Sequence, residues 1–174
     1  INSNFLKYAT NPHGTRVIQK IIDLMEINQS LKIEGFFDAI KNCTIDLLKD
    51  LNGIHVIQKI ITSLPEINNY IYEILYTNFV TISTNKNGCC ALQKCLEFAD
   101  KNQKNNLIEL IIKNSILLMT DQFGNYVIQY LISLQDQILN EKIINSFCSN
   151  IEYLSKQKYA SNVIEKVKNN FLNF

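Results

Sequence analysis

The chain has 174 residues, 47% hydrophobic and 19% charged, with a net charge of +1. That is enough for one domain with a substantial core and an ordinary globular composition, and near-neutral charge neither implies nor excludes a polyanionic partner. The longest apolar stretch, LIELIIKNSILLM, is interrupted by Glu109, Lys113, Asn114 and Ser115 and is too short to span a bilayer, and INSNFLKYAT at the start lacks the basic residues and apolar run of a signal peptide.

In chain order, the first amphipathic helix predicted is HGTRVIQKII (13–22), with Val17, Ile18, Ile21 and Ile22 at helical spacing. A short apolar turn, TIDLLKD (44–50), leads into NGIHVIQKII (52–61), where Val56, Ile57, Ile60 and Ile61 take the matching places. PEINNYIYEILYT (65–77) is the next helix, and Pro65 suits its first turn because the missing N–H would be unpaired there anyway. NFVTIS (78–83) then precedes NGCCALQKCL (87–96), and KNQKNNLIELIIKN (101–114) follows as another helix. ILLMTD (116–121) precedes FGNYVIQYLI (123–132), and IEYLSK (151–156) precedes YASNVIEKVK (159–168). A third helix is expected after the amphipathic segment in units one to four, whereas NNFLNF (169–174) is too short for one in the fifth.

Five of these segments align without gaps at spacings of 39, 35, 36 and 36 residues. Gly14, Gly53, Gly88 and Gly124, four of the five glycines in the chain, fall in one column that Ala160 fills in the fifth unit. A turn between helices with no room for a large side chain explains that column, and Ala160 says that size matters more there than backbone freedom. Units this small cannot close a core alone and must stack. The chain therefore reads as a single all-α solenoid with approximate repeats at 1–41, 42–77, 78–113, 114–150 and, incomplete, 151–174.

After the small column come five pentads: TRVIQ (15–19), IHVIQ (54–58), CCALQ (89–93), NYVIQ (125–129) and SNVIE (161–165). Their third and fourth residues are apolar and are expected to point into the core. The first and fifth lie one turn apart, on what should be one exposed face. Four pentads end in Gln and the fifth in Glu, while the second residues are Arg16, His55, Cys90, Tyr126 and Asn162. Planar groups can stack on bases, and amide or carboxylate ends can pair with base edges. Parallel helices about 9–10 Å apart could each engage one splayed nucleotide.

GCCALQKCL, FGNYVIQYLISL and ASNVIEK, with the pentads, resemble the PUF (Pumilio-homology) RNA-binding repeats over nearly the whole chain. The resemblance implies a right-handed α-solenoid of three-helix repeats whose concave surface reads single-stranded RNA at one base per repeat. It further implies that the chain is a fragment of a longer eight-repeat array, matching its third to seventh repeats, with exposed apolar surface at both ends and weaker RNA binding than the full array. In that family the first and fifth pentad residues contact the base edge and the second stacks. Carried over, Ser161 with Glu165 implies guanine, Asn125 with Gln129 uracil, and Cys89 with Gln93 adenine. Thr15 with Gln19 also implies adenine. Ile54 departs from the usual Asn and leaves Gln58 to select weakly. Arg16, His55, Cys90, Tyr126 and Asn162 would be the stacking residues. Antiparallel binding then gives 5′-GUANA-3′ within UGUA-type elements of mRNA 3′ untranslated regions. The resemblance also implies a cytoplasmic monomer acting in translational repression or mRNA decay, with deadenylase or translational repressor proteins on the convex face and no membrane partner.

Five cysteines, an odd number with two adjacent, argue for reduced thiols in a cytosolic or nuclear setting rather than a disulfide framework. His13 and His55 lack ligand-like spacing to any cysteine, so neither a metal nor a cofactor is expected. No nucleotide-binding, nucleophile-elbow or zinc-protease motif occurs, and the chain does not read as an enzyme. The competing reading is an α-solenoid scaffold of the armadillo or HEAT kind that binds a peptide, and the matched variation of first and fifth pentad residues argues against it.

Overall fold

In the computed structural model the described backbone covers residues 2–28, 31 and 35–172, and the described side chains are those of the same residues except 2, 3, 171 and 172. The expectation for 169–174 therefore falls partly outside the described residues. Among the described residues thirteen α-helices occur in the order α1 (Asn2–Ala9), α2 (Gly14–Ile27), α3 (Phe36–Leu48), α4 (Gly53–Ser63), α5 (Pro65–Thr77), α6 (Phe79–Ser83), α7 (Gly88–Phe98), α8 (Lys101–Lys113), α9 (Ser115–Thr120), α10 (Gly124–Ser133), α11 (Gln137–Phe147), α12 (Ile151–Leu154) and α13 (Ala160–Leu172). A 3-10 turn, Cys148–Asn150, precedes α12, and no strand occurs among the described residues. The amphipathic segments are α2, α4, α7, α10 and α13, and each packs on the next to form a solenoid.

One element differs from the expected pattern. The third helix of the first unit runs unbroken into the short element of the second, as α3. At the corresponding junctions Asn78, Asn114 and Asn150 break the chain, with φ of −109°, −103° and −107° and ψ of 21°, 16° and 14°. The side chains of Asn78 and Asn114 bond back to the carbonyls of Ile74 and Leu110, offering the backbone an alternative to the helix. Cys43 stands in that column in the second unit, buried, with its thiol on the Ala39 carbonyl, and the helix continues.

The apolar pentad residues fill the core: Val56, Ile57, Ala91, Leu92, Val127, Ile128 and Val163 are all 0% exposed. Val17 is a correction, because it is 61% exposed. Among the described residues α2 has one neighbouring middle helix, α4, whereas α4, α7 and α10 each have two. Val17 instead borders an open apolar cavity of about 550 Å³ with Phe5, Tyr8, Ile18, Ile21 and Phe36. At the other end Ile151 and Tyr153 are exposed and Ile164 is half-buried.

The small column marks where each middle helix starts against the helix before it. A Cβ on Gly53 would lie 2.7 Å from the Leu47 carbonyl oxygen, and one on Gly124 would lie 3.0 Å from that of Leu118. At Gly14 and Gly88 it would run into the carbonyls of Tyr8 and Ile82. None of the four has left-handed backbone, so close approach and not φ excludes a side chain.

A side chain three positions earlier caps each start: Asn11, Asp50, Asn85 and Asp121 accept from the N–H of Gly14, Gly53, Gly88 and Gly124 at 2.7–3.0 Å. Asn52 and Asn87, just before their glycines, donate to the carbonyls of Thr10 and Lys49 in the preceding unit at 2.8 and 3.0 Å. These bonds tie successive loops together.

Ion pairs join α2 to α4. Lys59 lies 2.8 Å from Asp23 and 3.0 Å from Glu26, and Lys20 lies 2.9 Å from Asp23. Hydrogen bonds from Lys59 and then Lys20 hold the Asp23 carboxyl below its ordinary range, and those from Ser63 and then Lys59 do the same for Glu26. The same bonds to Asp23 and Glu26 raise Lys59.

Two outcomes are expected. Gly53→Ala should destabilise the fold by about 1–3 kcal/mol in urea denaturation through overpacking, while Ala160→Gly should cost less than about 1 kcal/mol. Depressed carboxyls stabilise the fold above the ordinary carboxylate range and lose that contribution as pH falls through their folded values. The raised lysine contributes fully below the ordinary lysine range and loses its contribution above it. Lys59→Met should therefore lower the thermal midpoint by a constant amount between about pH 6 and 8, and the difference should shrink as the pH falls below the ordinary carboxylate range.

Candidate nucleic-acid interface

The pentads of the last three middle helices line two successive clefts. Cys90 and Gln93 of α7 share one cleft with Tyr126 and Gln129 of α10, with a volume of about 490 Å³. Tyr126 and Gln129 share the next, about 270 Å³, with Asn162 and Glu165 of α13. Lys166 lines both. Gln93 reaches across the first cleft and donates from Nε2 to the Tyr126 carbonyl at 3.4 Å. At the second residue Arg16, His55, Cys90 and Asn162 are exposed, and Tyr126 is 52% exposed.

In three of the five pentads the first residue does not share an exposed face with the fifth, although the spacing alone suggests that it should. Thr15, Cys89 and Asn125 are 4%, 2% and 1% exposed, whereas Gln19, Gln58, Gln93 and Gln129 are half-buried and Glu165 is exposed. Each first residue is the second residue of its helix, and Thr15, Cys89 and Asn125 lie at the floor of the wall. Thr15 is covered by the next unit's loop, where its hydroxyl donates to the Asn52 carbonyl at 3.3 Å. Ser161 is exposed and donates to the Lys158 carbonyl at 2.7 Å. Ile54 packs against the core and is half-buried.

The pentad ends are oriented from below in some units. Gln129 donates from Nε2 to Asn125 Oδ1 at 2.8 Å, and Gln19 donates to the Thr15 hydroxyl at 3.3 Å. Burial pushes the Cys89 thiol up to about 12, so it stays protonated at neutral pH and contacts the Lys86 carbonyl at 3.3 Å. All five cysteines are free: Cys43, Cys89 and Cys95 are buried, Cys90 and Cys148 exposed.

A lysine, Lys20, Lys59, Lys94 or Lys166, follows four of the five pentads. Lys59 and Lys20 engage Asp23 and Glu26, and Lys94 engages Glu97 at 2.9 Å. Only the i, i+3 spacing of Lys20 with Asp23 and Lys94 with Glu97 signalled this beforehand. In the fourth unit Tyr130 replaces the lysine and lines the first cleft, and burial raises its hydroxyl.

The wall also aligns the chain with known proteins. The profile of the Pumilio-family RNA binding repeat matches residues 4–33, 43–71, 78–112, 114–145 and 150–167. Pumilio homolog 12 of Arabidopsis thaliana is 38% identical over 162 residues, covering 92% of this chain and 27% of that protein. Suppressor protein MPT5 of Saccharomyces cerevisiae is 38% identical over 176 residues, covering 95% and 20%. Among solved structures, the Puf4 RNA binding domain bound to an HO endonuclease RNA 3′ UTR recognition sequence superposes with a TM-score of 0.80 at 33% identity, over 98% of this chain and 54% of that one. The RNA-binding domain of yeast Puf5p bound to AAT2 RNA gives 0.71 at 34% identity, over 94% and 48%. The chain spans 27% or less of these two curated relatives and about half of the two solved domains. This chain belongs to the Pumilio family of RNA binding repeats.

Proposed function

We propose that the chain binds single-stranded RNA in a sequence-specific manner, one base per unit, with 5′-GUANA-3′ as the preferred word. The observation that carries this reading is the pair of adjoining clefts in which Tyr126 stands with the polar pentad ends Gln93 and Gln129 in one and Gln129 and Glu165 in the other. The RNA-bound state of the similar Puf4 and Puf5p domains supports it.

Read antiparallel, Ser161 and Glu165 take guanine, whose N1–H and N2–H both suit a carboxylate acceptor. Asn125 and Gln129 take uracil, and Cys89 and Gln93 take adenine. Ile54 offers no hydrogen bond, so Gln58 selects weakly. Thr15 and Gln19 take adenine. Arg16, His55, Cys90, Tyr126 and Asn162 lie between successive bases. The RNA belongs to mRNA 3′ untranslated regions, and the cytoplasmic outcome is translational repression or decay through proteins recruited to the opposite face of a monomer.

Affinity in this reading comes mainly from stacking and hydrogen bonds, because Lys20, Lys59 and Lys94 are already paired with carboxylates. Lys166 is the lysine positioned to meet phosphate.

Tyr126→Ala should weaken every RNA similarly, by about 1–3 kcal/mol in a binding titration; a loss confined to uracil-containing RNAs would contradict a stacking role. Ser161→Asn with Glu165→Gln should move the preference at that base from guanine to uracil, and an unchanged preference would count against the pentad assignment. Lys166→Ala should reduce the slope of log affinity against log salt by roughly 1 without altering base preference.

A further inference from the structure

We infer that Asp23 and Glu26 are specificity-determining residues: their carboxylates hold Lys59 and Lys20 away from phosphate, so that a strand whose bases do not suit the pentads gains nothing from these lysines. The inference rests on the RNA-binding reading and concerns the charges beside the pentads, not the base-reading positions within them.

The cluster stands on the proposed binding face. Along α2, Arg16, Gln19, Lys20 and Asp23 recur at helical spacing, and along α4, His55, Gln58 and Lys59 do the same, so these charges lie within about one turn of the last pentad residue. Lys59 reaches back to the preceding unit, 2.8 Å from Asp23 and 3.0 Å from Glu26, and Lys20 meets Asp23 from its own helix at 2.9 Å. The Lys59 side chain is 25% exposed, against 83% for Lys20. Exposed ion pairs contribute only modestly to stability, so two acids gathered on one lysine do more for the field at the wall than for the fold.

The other units do not repeat the arrangement. Asp23 aligns with Thr62, Glu97, Ser133 and Asn169, and Lys59 aligns with Lys20, Lys94, Tyr130 and Lys166. Thr62 offers no charge to Lys94, which turns to Glu97 on its own helix at 2.9 Å. Ser133 offers none to Lys166, which lines a cleft with it and joins no ion pair among the described residues. The wall is therefore neutralised at α2 and α4 and open to phosphate at α13.

Removing the acids has unequal effects on different strands. A phosphate contact adds affinity whatever the sequence. A strand pinned base by base to the pentads has its phosphates fixed in place, whereas a strand with unsuited bases settles wherever cations are uncovered. Freeing Lys59 and Lys20 strengthens the second kind of binding more than the first, and the ratio of the two affinities falls.

The test measures binding of this chain, at several salt concentrations, to a short RNA carrying GUANA and to one of equal length made only of cytosine. Asp23→Asn with Glu26→Gln should tighten the cytosine RNA about tenfold at low salt and the GUANA RNA less than about threefold, and should steepen the slope of log affinity against log salt by roughly 1. Glu26→Gln alone, which leaves the Asp23 pairs in place, should give a smaller gain in the same direction. Adding Lys20→Met and Lys59→Met to the double variant should return the cytosine RNA to its original affinity. Glu66→Gln with Glu73→Gln, which removes two exposed charges from α5, should change either affinity less than about twofold. Equal tightening of both RNAs, an unchanged cytosine affinity, or the same effect from the α5 pair would overturn the inference. No loss of fold mimics the expected result, which is a gain of binding. If the unaltered chain does not prefer the GUANA RNA, the RNA-binding reading falls; if it does and the double variant leaves the ratio unchanged, only the role of the two acids falls.

Discussion

A methyl group at the start of a middle helix would collide with the carbonyl oxygen of the helix before it at Gly14, Gly53 and Gly88, and would press on Leu118 at Gly124. That contact sets how far each middle helix can slide along its own unit. The Asx caps and the Asn52 and Asn87 bonds to preceding loops then set how each unit sits on its neighbour. Register along the wall follows from these backbone contacts and not from the polar residues displayed on it. The pentads are consequently free to vary in chemistry while holding their positions.

The electrostatics of the wall suit recognition more than general attraction to polyanions. Lysines stand after four of the five pentads, yet three of them meet carboxylates within 2.8–3.0 Å. With a net charge of +1, little unneutralised positive field remains to draw in any nucleic acid regardless of sequence. In the proposed reading, discrimination falls to stacking and to short hydrogen bonds made in a partly enclosed cleft, where an unmatched polar edge is costly.

Much of this was legible in the sequence because it repeats. The small column, the apolar pairs and the polar pentads each occur five times, and repetition separates a built feature from a chance one. What repeats less regularly was harder to see. The Asn column at 78, 114 and 150 decides whether a third helix ends or runs on, and Cys43 shows its effect by failing to break α3. Helical periodicity gives the direction in which a side chain leaves its own helix but not what the neighbouring unit lays over it. For that reason it misplaced Val17, which is exposed, and Thr15, Cys89 and Asn125, which lie at the floor. Pairing of Lys59 with Asp23 and Glu26 spans two units, and its cross-unit geometry lies beyond any single-helix pattern.

The central claim is that five registered pentads each address one nucleotide of a single strand. Its most direct test is selection of RNAs bound by this chain from a random pool, followed by sequencing. The account predicts enrichment of G, U and A at three consecutive positions, then an unselective position and a final A. A bound pool no different in sequence from the starting pool, or one whose preferences do not fall at consecutive nucleotides, would contradict it.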